Sequence, residues 1–139
     1  MVNVAVSELP TGTATLDDTF VGNQGGTTKE LTLPKPFEFG GILTISGGAV
    51  TLTQNYGSFF IDTEASAATD DLNTINDSNA YDGKIIILAQ TSSSRDITIK
   101  HNAGNIFMTG GDYTATAAST GRLMLQHYNG NWFEISRVG

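Results

Sequence analysis

Gly121-Arg122-Leu123-Met124-Leu125-Gln126-His127-Tyr128-Asn129-Gly130-Asn131-Trp132-Phe133-Glu134-Ile135-Ser136-Arg137 is the stretch whose reading decides the fold. Apolar and polar residues alternate on both sides of Asn129-Gly130-Asn131, the pattern of two half-buried strands joined by a tight turn. With these three residues as the loop, His127 faces Phe133 and Leu125 faces Ile135, and Leu123 joins the same face. Tyr128 and Trp132 then pair on the opposite face, half exposed beside the turn. A two-residue Asn129-Gly130 loop would set Leu125 against Glu134. Register follows the face that can be buried, so the sequence predicts the three-residue loop.

Upstream, residues 84–90, 95–101 and 105–109 read as further strands separated by Ser, Gly and Asn. Residues 42–46 and 49–54 alternate around Gly47-Gly48 and predict a hairpin, and 58–63 predicts another strand. The period changes over residues 69–75. Thr69 stands at a plausible N-cap, Asp70 and Asp71 fill a first turn, and Leu72 and Ile75 are three apart, which predicts one or two turns of helix. The expected architecture is all-β: a jelly-roll-like β-sandwich body over 37–139, one short helix, and an extended N-terminal arm over 1–36 ending at Pro34-Lys35-Pro36.

The arm contains β-prone pieces at 2–6 and 29–33, broken by Pro10, Gly12, Gly22 and Gly25-Gly26. It has too few large apolar residues to offset its own ordering entropy, so a neighbouring molecule is expected to hold it. The residues expected to bind that partner are Val2, Val4, Val6, Leu16, Phe20, Val21, Leu31 and Leu33, with Phe37 and Phe39 anchoring the return to the body.

At 139 residues the chain is long enough for one substantial core. It has no cysteine, which excludes disulfides and thiolate metal sites. Seven Lys and Arg against fourteen Asp and Glu give a net charge of −7. Such a surface repels phosphate, so nucleic acid is not an expected partner. Residues 1–8 have neither the basic region nor the apolar core of a secretory leader, and no apolar run approaches membrane-spanning length. A soluble protein with no membrane partner is expected.

Catalytic and metal motifs are sparse. His101 and His127 lack HxH or HExxH spacing, no serine sits in a Gly-x-Ser-x-Gly elbow, and no glycine pair precedes Lys-Ser or Lys-Thr. Asp70-Asp71 reads either as a metal or acid–base pair or as charges complementing a helix N-terminus. Asp77-Ser78-Asn79-Ala80-Tyr81-Asp82-Gly83 has the alternating oxygens of a calcium loop, but one ligand is displaced and Leu88 occupies the position of the bidentate Glu. The six carboxylates of 62–82, without Lys or Arg, read as a solvated face or as a surface for a basic partner. The expectation is a non-enzyme with no cofactor, no metal and no catalytic residue.

From Asp62 onward the wording resembles a module of tailed-bacteriophage structural proteins. The residues that carry it are Asp62-Thr63-Glu64-Ala65, Ala68-Thr69-Asp70-Asp71-Leu72, Thr74-Ile75-Asn76, Asp82-Gly83-Lys84, Ile97-Thr98-Ile99-Lys100-His101, Gly104-Asn105-Ile106, and Tyr128-Asn129-Gly130-Asn131-Trp132 with Glu134-Ile135-Ser136-Arg137. The family's closing turn commonly reads Tyr-Asp-Gly-Thr-Asn-Trp, one residue longer than here. The resemblance implies a virion structural protein made in the host cytoplasm. It does not imply a particular location; the short chain with an extended arm and a β-sandwich body points to a capsid decoration or cement protein that binds the major capsid protein through its arm, expected as a homotrimer at three-fold sites. The alternative is a tail-fibre or receptor-binding module, whose ligand-facing aromatics for a host glycan would be Tyr113, Tyr128 and Trp132.

Overall fold

The computed structural model describes residues 19–24, 27–32, 38–54, 57–92, 94–116 and 121–139. The chain divides into two compact units, Met1–Lys35 and Pro36–Gly139. In the first, β1 (Thr19–Gln24) and β2 (Thr27–Thr32) pair antiparallel from Thr19 against Thr32 to Gln24 against Thr27. Only Gly25 and Gly26 separate them in sequence. Of the residues expected to bind a partner, Phe20 lies in β1 with Val21, and Leu31 lies in β2. Val2, Val4, Val6, Leu16, Leu33 and Phe37 lie outside the described residues.

The second unit contains β3 (Phe39–Thr44), β4 (Ala49–Thr51), β5 (Gly57–Asp62), β6 (Thr69–Leu72), β7 (Thr74–Asn76) and β8 (Ile85–Gln90). It continues with β9 (Asp96–Ile99), β10 (Ile106–Phe107), β11 (Tyr113–Ala115), β12 (Arg122–Tyr128) and β13 (Asn131–Val138). Three sheets result, in the orders β10-β13-β12-β8-β5-β3, β11-β9-β6 and β4-β7. β3, β5 and β8 are parallel neighbours, as are β4 with β7 and β6 with β9. A parallel neighbour is reached only by a crossover. Here β4 lies on the way from β3 to β5, and β6 and β7 lie on the way from β5 to β8. The chain therefore winds in coils whose strands stack on those of the preceding coil. β12 and β13 close the stack as an antiparallel hairpin laid on β8.

The all-β class is as read from the sequence; the arrangement is β-solenoid-like rather than clearly a jelly-roll sandwich. Alternation identifies which residues face inward but does not say whether neighbouring strands run parallel. Inward residues stack coil on coil: Leu43 on Ile61, Phe59 on Leu88 and Leu123, Val50 on Ile75, and Leu72 on Ile99. All of these are buried, and each contributes roughly 1.5–3 kcal/mol. Gly40 fits here because a Cβ would run into the Phe59 ring.

Three local expectations are corrected. Residues 69–75 are not helical but form β6 and β7, joined at a corner on Asn73. Asn73 N donates to Gly48 O at 2.7 Å, Asp96 N to Ala68 O and Lys100 N to Leu72 O, each at 2.9 Å. The corner, not a helical turn, points both Leu72 and Ile75 inward. The one helical element among the described residues is a 3-10 turn at Glu64–Ser66. Residues 42–54 do not form a hairpin: Gly47-Gly48 turns the chain from one sheet into another, with a single bridge between Ser46 and Ala49.

The closing loop is the two-residue Asn129-Gly130, both at positive φ (48° and 80°), as a type I′ turn requires. Tyr128 opposes Asn131, His127 opposes Trp132, and Leu125 does oppose Glu134. A bulge beyond that pair restores the phase, setting Met124 against Ser136. Glu134 is satisfied by Arg137, at 2.6 and 2.9 Å, and by Thr109 N at 2.8 Å, which offsets the burial of its carboxylate opposite Leu125.

Candidate interaction surface

Both faces of the six-stranded sheet are apolar. Its inner face is the core. On its outer face Ile42 adjoins Phe60, Ser58 adjoins Ile87 and then Met124, and Ile85 adjoins Gln126 and then Phe133. The exposed large apolar side chains among the described residues are Phe39, Ile42, Tyr81, Ile85, Tyr128, Phe133, Ile135 and Val138. All but Tyr81 belong to this sheet's strands, so the exposure is concentrated rather than scattered. A contiguous apolar face of this kind marks an interaction site more often than a scattered set of single residues does.

The face has relief. Phe39 meets Phe60 edge-to-face at 5.4 Å, and at the other side Phe107 stacks on Phe133 at 5.4 Å. Between them lies an open depression of about 290 Å³ lined by Ser58, Ile87, Arg122, Met124, Ser136 and Val138. The Arg122 guanidinium sits 5.7 Å from the Phe60 ring centroid and donates to Gly121 O at 2.9 Å. Cation–π contact spreads its charge over an aromatic face.

A polar cluster lies where the loop before β8 meets the closing hairpin. Lys84 is 1% exposed, and its ammonium donates to Asp77 Oδ2 and, at 3.3 Å, to Gln54 O. Asp77 Oδ1 accepts from Asn79 N at 2.9 Å. His127 N donates to Lys84 O and Gly83 N to His127 O, which ties loop to hairpin. The His127 ring meets Trp132 edge-on at 5.1 Å. Its Nδ1 lies 3.5 Å from Asp82 Oδ1, too long for a good hydrogen bond, and Asp82 Oδ1 instead accepts from Asn129 N at 2.8 Å. Asn105 extends the β4-β7 sheet with its side chain: Oδ1 accepts from Ile75 N and Nδ2 donates to Ile75 O, both at 2.9 Å.

Asp77, Asn105, His127 and Trp132 line an open depression of about 360 Å³. The Asp77 and Asn105 groups are committed to internal bonds and the indole is buried, so these groups act as a structural clasp. In the calcium-like string it is the Lys84 ammonium that neutralises Asp77.

Three further acids of 62–82 also hold structure. Asp62 takes a bidentate pair from Arg95 at 2.9 and 2.8 Å, Glu64 accepts from Ser46 and Gly47, and Asp70 accepts from Glu64 N and Asp71 N. Asp70 is thus a loop clamp. His101 Nδ1 accepts from Met108 N at 2.9 Å. Among the described residues no three His, Asp or Glu gather as a metal site.

Of the three aromatics expected to face a ligand, only Tyr128 is exposed. Trp132 is 1% exposed in the core, and Tyr113 is buried with its hydroxyl donating to Val138 O at 3.1 Å. The tighter turn put Trp132 on the inward face with His127, so the half-exposed aromatic pair does not form. Phe39 stands on the outer face beside Phe60. Sequence reasoning missed that face, although the unbroken run Ile85-Ile86-Ile87-Leu88 signals a strand apolar on both sides. No protein-family model and no curated protein matches the chain.

Proposed function

We propose that this chain is a non-catalytic structural protein of a tailed-phage virion, a capsid decoration protein that binds the outer capsid surface. The observation that carries an assembly role is the apolar outer face of the six-stranded sheet, a surface built to be covered. The resemblance of residues 62–137 to phage structural modules suggests the virion context, and the N-terminal segment joined to a folded body suggests the major capsid protein as partner. In this reading the N-terminal segment, with Val2, Val4, Val6, Leu16, Phe20, Val21, Leu31 and Leu33, attaches to the shell, and further copies occupy equivalent sites, a homotrimer at three-fold positions. Repetition multiplies weak contacts into firm attachment.

The test is co-sedimentation of the full-length protein with purified expanded capsids. Saturable binding, lost in Val2→Asp/Val4→Asp/Val6→Asp, is the expected result. No binding to capsids overturns the decoration reading. Binding to a host glycan array would favour the receptor module instead; the exposure of Tyr128 is what supports that alternative.

A further inference from the structure

We propose that Asn129 is a site of spontaneous modification: in the folded protein its side-chain amide is lost through a cyclic imide with Gly130, and the change loosens the closing hairpin from the loop before β8. Asn129-Gly130 is the only Asn-Gly pair in the chain, and Asp82-Gly83 is its only Asp-Gly pair.

The chemistry needs only water. The Gly130 nitrogen, giving its proton to a solvent base, attacks Asn129 Cγ. The Cγ–Nδ2 bond breaks, Nδ2 leaves as ammonia, and a five-membered imide remains. Water then opens the ring at either carbonyl. One opening leaves aspartate, and the other routes the backbone through the side-chain carbon and leaves isoaspartate. Ammonia is lost and water gained, a net increase of one dalton. Asparagine is thermolabile for this reason, and a following glycine offers its nitrogen without a side chain in the way.

The structure chooses between the two pairs. Asp82-Gly83 could close the same ring with loss of water, and the two pairs touch, since Asp82 Oδ1 accepts from Asn129 N at 2.8 Å. At Asp82-Gly83 both reacting groups are engaged: Gly83 N donates to His127 O at 2.9 Å, and the carboxylate holds Asn129 N. At the turn both residues are exposed. Among the described residues neither Gly130 N nor the Asn129 side-chain amide has a hydrogen-bond partner. Asn129 stands at φ 48°, a left-handed conformation that a residue with a side chain leaves at little cost. The rotation that brings Cγ onto Gly130 N is confined to the turn, because the ladder begins with Tyr128 against Asn131.

The product acts on the clasp. Isoaspartate lengthens the backbone of a two-residue turn whose geometry sets the hairpin register. Either product also brings a second carboxylate beside Asp82, and like charges repel. The bond from Asn129 N to Asp82 is one of those that tie the loop to the hairpin, so it weakens.

The full-length protein is aged in its folded state in mildly alkaline buffer. Its tryptic peptides are then read by mass spectrometry and by isoaspartate-specific enzymatic methylation. The peptide of residues 123–137 should gain one dalton at Asn129 and accept methyl groups, while the peptide carrying Asp82 should accept none. Asp82→Asn writes the same dipeptide at both places, and Asn129 should still convert several-fold faster. Asn129→Gly keeps a turn that accepts positive φ at both residues and has no amide to lose. Its urea midpoint should stay constant on ageing, while that of the wild type falls. An Asn129 that converts in urea but stays intact in the folded protein overturns the proposal. So does equal or faster conversion at the substituted position 82, or a modified protein whose urea midpoint is unchanged.

Discussion

Lys84 and Ile85 are consecutive residues with inverted fates: the lysine is 1% exposed and the isoleucine 38%. The inversion separates two regions of the body. At the clasp, charge is buried because Asp77 and the Gln54 carbonyl meet it, and the ion pair fixes a loop against the closing hairpin. On the outer sheet face, apolar side chains are exposed with no such internal purpose. A buried charge answered from within reads as architecture, whereas unanswered apolar surface reads as an appointment with another molecule.

The largest effect that breaks this comparison is expected at the clasp. Lys84→Met leaves Asp77 buried without its counter-charge and should destabilise the protein by about 3–5 kcal/mol in urea denaturation. Lys84→Met/Asp77→Leu should recover most of the loss, because it removes both charges. A silent Lys84→Met would show that the pair holds nothing. Gly40→Ala comes next, driving a methyl into the Phe59 ring, at about 1–3 kcal/mol by the same measurement.

A smaller effect is expected from Glu134. Burial pushes its carboxyl up, but the Arg137 guanidinium and Thr109 N–H outweigh burial and hold it below the ordinary 4.5. The folded value lies under the unfolded one, so this contribution is complete above the unfolded value and is lost as pH falls through the folded one. Glu134→Gln should therefore flatten the acid limb of a stability–pH profile below about 4.5, with the difference shrinking as pH falls further. The smallest effect belongs to the outer face. Ile42→Ser should change monomer stability by no more than about 0.5 kcal/mol in urea denaturation, because Ile42 is exposed.

The five strands expected over 84–137 all exist because alternation and turn residues are local signals, and local signals survive in the fold. Their arrangement was not legible: parallel stacking depends on which distant strand a coil lands on, as with β6 on β9. Leu72 and Ile75 imitated a helix because a corner at Asn73 reproduces a spacing of three. The hairpin register misled for a different reason. Leu125 against Glu134 looks forbidden until Arg137 and Thr109 are known to answer the carboxylate. Lys84 gave no sign of burial, since a lysine at a strand end ordinarily keeps its charge in water. The outer face did leave a trace, in the four consecutive aliphatics that begin at Ile85.

The Asp77–Gly83 loop carries its own tethered cation. Loops of similar wording elsewhere borrow a dissolved ion and so lose their shape when the medium is depleted of it. Here the counter-ion is covalently part of the chain, so the loop's conformation should not depend on the supply of calcium. A protein with such a loop should hold its fold through dilution or chelation: thermal unfolding with and without a chelator should coincide.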